Sequence, residues 1–142
     1  MYIISACLAG RNCKYNGGNN ECAWVEEFIR THRCVLVCPE EKLLGTPRQP
    51  VEIISGRAID KNGRDVTDEF SKGALQTWGE ALIVARGDTI KGAILKSNSP
   101  SCGSGAIYDG TFTGNLVDGD GFFAKLLKDN GVKVTTEKEN MK

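Results

Sequence analysis

Cysteines are the residues whose type and spacing most strongly indicate chemistry in this chain. There are six in 142 residues, and Cys7, Cys38 and Cys102 each lie at or shortly after the end of a predicted buried strand. Because the carboxyl ends of parallel strands meet at one edge of a sheet, we expect these three thiols to converge. Converging thiolates repel one another and require a cation, either an iron–sulfur cluster or zinc. The spacing is not that of compact C-x-x-C sites, so it leaves both open.

The other three cysteines have different expected roles. Cys13 follows Cys7 by six residues in a glycine-containing loop and is a candidate fourth ligand. Four protein ligands close a cluster and suit structure or electron transfer, whereas three leave one iron open to bind a substrate. Cys22 falls on the apolar face of a predicted helix and Cys34 begins a predicted strand, so we interpret both as small hydrophobic residues of the core.

Polar residues near these cysteines indicate catalysis or binding. Glu40 follows Cys38 through the stiff Pro39 and is a candidate general base. The loop at 96–105, after the third predicted strand, offers Lys96, serine hydroxyls and backbone N–H groups, which suit an anionic or polar ligand, although a Ser/Gly linker would have a similar composition. Arg48, in a proline-flanked stretch, is predicted either to touch substrate or to pair with a surface carboxylate.

Composition argues against several classes of protein. Eighteen Lys plus Arg balance eighteen Asp plus Glu, which disfavours a protein that grips long nucleic acid by its phosphates. His32, the one histidine, is predicted to be solvated, which disfavours catalysis by a histidine base. The glycine motifs that bind phosphate groups are also absent from the sequence. The sequence shows neither a secretion signal nor the roughly 18 apolar residues of a membrane span. We therefore expect a cytoplasmic protein that does not bind membranes.

Alternating patterns of hydrophobic residues predict the elements that position these residues. Strands are predicted at residues 2–6, 34–37, 90–95 and 132–134, and helices at 21–33, from 67 to 85, and at 121–130. Residues 51–60 and 106–116 are interpreted as hairpin or turn excursions, and Asn20 as the N-cap of the first helix. The predicted fold is one small Rossmann-like, three-layer α/β domain over residues 1–142, with a mainly parallel sheet, short β-hairpin excursions and a frayed tail at 135–142.

Several short motifs, taken together, resemble the thiouracil desulfidase family from Ile3 to about Val134. They are Ser5-Ala6-Cys7-Leu8, Cys13-Lys14-Tyr15-Asn16-Gly17, Cys38-Pro39-Glu40, Pro47-Arg48-x-Pro50-x-Glu52, Asp65-Val66-Thr67, Gly73-Ala74 and Ser99-Pro100-Ser101-Cys102-Gly103. The resemblance implies a [4Fe-4S] cluster held by Cys7, Cys38 and Cys102, with the fourth iron free for the sulfur of a thiolated nucleobase. It also implies that Glu40 is the catalytic carboxylate and that Ser99 or Ser101 is the catalytic serine, with Ser99 the first choice.

The expected reaction is a non-redox hydrolytic desulfuration, in which Glu40 takes a proton from water and water replaces the sulfur of a small thiolated base. Arg48 and Lys96 are the candidate substrate-binding residues. The segment after Glu40 departs from the family's usual Gly-Gly-Leu turn, and Asn16 replaces a usual Asp. Both changes touch the expected rim of the pocket. The competing hypothesis is a non-catalytic iron–sulfur or zinc module, structural or redox-sensing, closed by Cys13. A metal-free thiol enzyme using Cys102 ranks last.

Overall fold

A four-stranded parallel sheet forms the centre of the computed structural model, which describes residues 1–139. The strands in the described residues are β1 (Tyr2–Ser5), β2 (Cys34–Val37), β3 (Val51–Ile54), β4 (Arg57–Asp60), β5 (Gly92–Leu95), β6 (Ala106–Tyr108), β7 (Leu116–Asp118) and β8 (Val134–Thr136). The strand order of the central sheet is β2-β1-β5-β8, with each neighbouring pair parallel. The parallel arrangement brings the carboxyl ends of all four central strands to one edge, as the sequence predicted.

Helices cover both faces of this sheet. They are α1 (Ala23–Thr31), α2 (Glu41–Leu44), α3 (Thr67–Ala85) and α4 (Phe122–Asp129). Successive side chains of a strand point to opposite faces, so Ile3 packs with residues of α3 and α4 while Ile4 packs with residues of α1. Both isoleucines are inaccessible to solvent, and full burial of such a side chain contributes about 1.5–3 kcal/mol. The predicted three-layer α/β fold is confirmed.

Two antiparallel hairpins project from this core. Strands β3 and β4 pair across Ser55 and Gly56, which both have positive φ, as a two-residue type I′ turn requires. Strands β6 and β7 form the second hairpin, with a longer loop between them. Both hairpins contribute residues to the cavity at the carboxyl edge of the sheet.

Several predicted boundaries were wrong. Helix α1 begins at Ala23 with Cys22 as its N-cap, so Asn20 does not cap it. The short helix α2 was missed, because four residues carry too little periodicity to be recognised. The last strand runs two residues further along the chain than predicted, and Thr135 and Thr136 are buried.

Residues 137–139, which follow β8, are also held in place. Glu137 bonds to the loop after β5, so the predicted frayed tail is wrong for residues 135–139; residues 140–142 lie outside the described residues. Within residues 1–139, no helix is long and apolar enough to cross a membrane.

Candidate active site

A cavity of about 510 Å³ lies at the carboxyl edge of the central sheet. Every residue nominated from the sequence for chemistry or binding lines it: Cys7, Cys13, Cys38, Glu40, Arg48, Lys96, Ser99, Ser101 and Cys102. They come from the segments that follow β1, β2 and β5, and from the extended stretch before β3. The cavity sits beside the β1–β5 boundary, where the strand order reverses and ligands bind in α/β sheets of this kind.

Three thiols from three different strands face this cavity. Cys7 lies in a 3₁₀ turn directly after β1, Cys38 directly follows β2, and Cys102 lies in the loop after β5. Burial raises the pKa of Cys7, and it raises the pKa of Cys102 to about 12. The charges of Cys7 and Cys38 raise the pKa of Cys102 further, so the three sulfurs are close enough to repel as thiolates. A cation bound among them would remove this penalty.

The three thiols fit a polynuclear centre by their chemistry. Soft thiolates are the ligands that iron–sulfur clusters take, and each binds a different iron, so the sulfurs need not meet around one point. Three soft thiolate donors therefore fit an iron–sulfur cluster by their chemistry. Within residues 1–139, no group of three or more His, Cys, Asp or Glu side chains has the geometry to hold a metal ion.

Cys13 is a buried neighbour of Cys38. Its side chain is almost inaccessible, with 1% of the residue exposed. Its thiol hydrogen-bonds to the Cys38 sulfur, which lowers the pKa of Cys38 and raises that of Cys13. The Cys38 thiol also lies 3.6 Å from the Cys13 carbonyl oxygen. Cys13 thus contacts one member of the thiol set through both its side chain and its backbone.

Glu40 and two serine hydroxyls form a compact polar group beside the thiols. The Ser101 hydroxyl donates to Glu40 Oε2 at 2.6 Å, and the Ser99 hydroxyl reaches the same oxygen at 3.3 Å. Ser99 Oγ also accepts from the backbone N–H groups of Ser101 and Cys102, at 3.2 and 3.1 Å. Ser99 therefore organises the turn that carries Cys102, while Ser101 makes the shorter contact with the carboxylate.

Arg48 is buried among protein groups. Its Nε lies 3.4 Å from Glu40 Oε1, Nη2 donates to the Cys13 carbonyl at 2.9 Å, and Nη1 donates to the Gly45 carbonyl at 3.1 Å. Nη2 also lies 4.0 Å from the Cys38 sulfur. Only 6% of the Arg48 side chain and 12% of the Glu40 side chain is exposed. The guanidinium thus connects the carboxylate to the loop of Cys13 and to Cys38.

Lys96 also lines the cavity, and neighbouring protein groups hold its ammonium in place. Its ammonium lies 3.1 Å from Glu137 Oε2 and donates to the Ser97 carbonyl and hydroxyl oxygens at 3.1 and 3.0 Å. Glu137 also accepts from the backbone N–H and hydroxyl of Ser97, at 2.7 and 3.0 Å. These bonds lower the pKa of Glu137 against the opposing effect of its burial. The positive charge of Lys96 lowers the pKa of Cys7, so Lys96 is close to that thiol.

Two glycines allow helices to approach the loops that carry Glu40 and Ser101 closely. A Cβ on Gly73 of α3 would lie 2.3 Å from the Pro39 carbonyl oxygen, and one on Gly121 would lie 2.5 Å from the Ser101 carbonyl carbon. At the start of α4, Phe123 N and Ala124 N donate to the Ser101 carbonyl at 2.8 and 3.0 Å. These bonds satisfy N–H groups that a helix start leaves free, and they fix the serine loop.

Sequence reasoning assigned no role in the site to several residues that line or support the cavity, among them Ser5, Asn20, Tyr108, Phe112 and Glu137. Asn20 hydrogen-bonds to the Cys7 thiol and Ser5 to the Cys102 thiol, in each case lowering the pKa of the cysteine. The position of Ser5 at the end of the first predicted strand was the one available signal. The other four are brought to the site by contacts distant in sequence.

Comparisons with known proteins agree on the family. A sequence profile of the 2-thiouracil desulfurase family matches residues 2–139. The chain is 40% identical to the uncharacterized protein YbbK of Bacillus subtilis (strain 168) over an alignment of 152 positions. This alignment covers 98% of the chain and 97% of YbbK. It is also similar to the solved structure of a [4Fe-4S]-dependent thiouracil desulfidase, TudS, with a TM-score of 0.84 and 38% identity, covering 97% of this chain and 91% of that one.

Proposed function

The chain belongs to the 2-thiouracil desulfurase family, and from this we propose that it is a [4Fe-4S]-dependent enzyme that desulfurates a small thiolated nucleobase by hydrolysis. The observation that carries the proposal is the convergence of three thiols, one buried carboxylate and two serine hydroxyls on a single cavity. The similar solved protein is named as an enzyme of this activity and cofactor, which supports the same conclusion.

Cys7, Cys38 and Cys102 are the proposed cluster ligands. These three thiolates would hold a [4Fe-4S] cluster with one iron free of a protein ligand, and the cluster would supply Lewis-acid chemistry toward the soft sulfur of a thiocarbonyl group. The protein supports this centre by hydrogen bonds to its thiols from Asn20 and Ser5, which stabilise the thiolate forms.

Glu40 is the proposed general base. The reaction exchanges a carbon–sulfur double bond for a carbon–oxygen double bond, consuming one water and releasing one hydrogen sulfide, without net electron transfer. Glu40 accepts one proton from the attacking water, and the second proton is lost from the added hydroxyl as the carbonyl forms. Both protons leave with the sulfur as hydrogen sulfide. Ser101, at 2.6 Å, orients the carboxylate, and Ser99 fixes the loop that carries both Ser101 and Cys102.

The two basic residues have separate proposed roles. Because the Arg48 guanidinium bonds to Glu40 and to two backbone carbonyls, we assign it to holding the carboxylate rather than to contacting substrate. Lys96, whose side chain is 27% exposed on the cavity wall, remains the proposed cationic contact for a polar group of the base.

A Glu40→Gln variant tests the proposal. Reconstituted wild-type protein is expected to contain about four irons, as a [4Fe-4S] cluster requires, and to release sulfide from 2-thiouracil. Glu40→Gln is expected to keep the cluster absorbance and lose about 10²- to 10⁴-fold in turnover, the usual contribution of a general base. Glu41→Gln is the matched control, because Glu41 is the next carboxylate in the chain and does not line the cavity. A variant at Glu40 with full activity contradicts the proposed role.

The alternative is a closed, non-catalytic cluster or metal module with Cys13 as the fourth ligand. The contact of Cys13 with Cys38 is the observation that keeps this alternative in view. A Cys13→Ser variant distinguishes the two, because an open three-cysteine site is expected to retain its iron and a closed site is not. Cys102→Ser serves as the control that loses iron in either case. Iron loss in Cys13→Ser, together with no sulfide release by the wild type, would favour the module.

A further inference from the structure

The loop between β6 and β7 brings two aromatic side chains to the cavity. Tyr108 ends β6 and Phe112 lies in the loop, and both line the cavity that the thiols and Glu40 also line. Both residues are partly buried. Within residues 1–139, neither ring stacks on another aromatic side chain of the protein.

Glu52 attaches this loop to the β3–β4 hairpin. Its Oε1 accepts from the backbone N–H groups of Gly110 and Phe112, each at 3.0 Å. The loop also fits tightly against β3, since a Cβ on Gly110 would lie 2.2 Å from Ile54 Cγ1. The two bonds to Glu52 Oε1 and the close packing of Gly110 against Ile54 therefore set the position of Phe112 relative to the cavity.

Phe112 itself adopts an unfavourable backbone conformation. Its φ is +57°, in the left-handed region that bulky L residues rarely occupy. Glycine or asparagine would adopt this conformation more easily, and Gly110 and Gly114 in the same loop do so. Strain of this kind persists where the surrounding structure enforces it, and it clusters at ligand-binding sites. Here the bond from Phe112 N to Glu52 enforces it.

We propose that Phe112 stacks on the planar ring of the thiolated base, with Tyr108 beside it and Glu52 as the positioning residue for the loop. The inference rests on the proposed function, because it assigns the recognition of the ring in the same cavity. A nucleobase has π faces that bind aromatic side chains regardless of its exocyclic groups. Phe112 thus determines affinity for the ring, while the thiols and Glu40 act on its sulfur and carbon.

Substitutions at Phe112 test the stacking. Loss of a base–aromatic contact is expected to weaken binding roughly tenfold. Phe112→Leu keeps apolar bulk without a π face, so it is expected to raise KM for 2-thiouracil about tenfold with kcat within about twofold and with unchanged cluster absorbance. Phe112→Tyr restores the ring and is expected to return KM to the wild-type value. An unchanged KM in Phe112→Leu overturns the inference.

Substitutions at Glu52 test the positioning role. Glu52→Gln retains the acceptor oxygen Oε1 and is expected to keep KM near wild type, whereas Glu52→Ala loses both backbone bonds and is expected to raise KM as far as Phe112→Leu does. The Phe112→Leu and Glu52→Ala changes combined should raise KM no further than either alone, because both remove one contact. Multiplicative effects would overturn the assignment of Glu52 as acting through Phe112.

A second measurement separates failure of this inference from failure of the proposed function. The dissociation constant of uracil, which carries the ring without the sulfur, is measured by calorimetry on reconstituted wild type and Phe112→Leu. If Phe112→Leu weakens uracil binding about tenfold, the stacking is upheld, even where the wild type releases no sulfide from 2-thiouracil. In that case only the proposed reaction fails. Sulfide release with uracil binding insensitive to Phe112 overturns the stacking alone. A wild type that binds neither pyrimidine overturns both.

Discussion

The buried pair of Arg48 and Glu40 yields the sharpest prediction about stability. Arg48→Met removes the guanidinium but keeps most of the apolar stem, and it leaves the Glu40 carboxylate, 12% exposed, without its cation. Breaking a buried ion pair by removing one partner typically costs about 3–5 kcal/mol. We expect the lower end, about 3 kcal/mol, because the serine hydroxyls still donate to Glu40.

The assay is urea unfolding of the cluster-free, reduced protein. With a slope of about 2 kcal/mol per M urea, a loss of about 3 kcal/mol lowers the unfolding midpoint by about 1.5 M. Arg57→Met is the matched control. The pair of Arg57 with Asp65 also joins an arginine Nε to a carboxylate oxygen, at a shorter distance of 2.9 Å, but its side chains are 57% and 42% exposed. An exposed pair contributes about 0–1 kcal/mol, so the control should shift the midpoint by less than about 0.5 M.

A double variant tests the cause of the loss. In a Glu40→Gln background no buried carboxylate charge needs a cation, so Arg48→Met should cost at least about 1 kcal/mol less than it costs alone. Equal midpoints for Arg48→Met and Arg57→Met, or an Arg48→Met cost unchanged by Glu40→Gln, would refute the electrostatic reasoning.

Two further predictions concern α3 and the turn before it. Gly73→Ala places a Cβ 2.3 Å from the Pro39 carbonyl oxygen, so it is expected to destabilise the fold by about 1–3 kcal/mol. The control, Gly79→Ala on the same helix, places a Cβ that meets no atom within 4 Å, so it is expected to stabilise the fold by up to about 1 kcal/mol. Urea unfolding midpoints that shift in the same direction in both variants would contradict this prediction. Hydrogen bonds from Thr67 lower the pKa of Asp65 to about 2, so its contribution to stability is present above about pH 4 and lost as the pH falls toward 2. Thermal melts should show Asp65→Asn less stable than wild type at pH 7 and equal to it near pH 2, and a difference that grows on acidification would disprove the assignment.

Local patterns predicted the scaffold because they depend on neighbouring residues. Apolar runs such as that of β5 and the spacing of apolar residues in α3 follow from the periods of strands and helices, and the structure confirms these elements. Parallel connection of the central strands then placed Cys7, Cys38 and Cys102 at one edge.

Contacts distant in sequence could not be predicted in the same way. The distance of Arg48 from Glu40, the bond of Glu52 to the β6–β7 loop and the attachment of Glu137 to Ser97 join segments that carry no local signal for one another. The same limit explains the error over the chain after residue 134, since its high charge and terminal position indicated fraying while Glu137 is in fact an acceptor for the loop after β5.

The sequence by itself determined the fold class, the set of thiols and the carboxylate beside them, because residue type, period and motif spacing are local properties. Only the tertiary structure decided that Ser101 makes the shorter contact with Glu40 and that Arg48 is bonded to protein groups. It also decided that Phe112 lines the same cavity as the thiols. These outcomes depend on distances between loops, which are set when α3 and α4 pack at Gly73 and Gly121 and fix the loops in one arrangement.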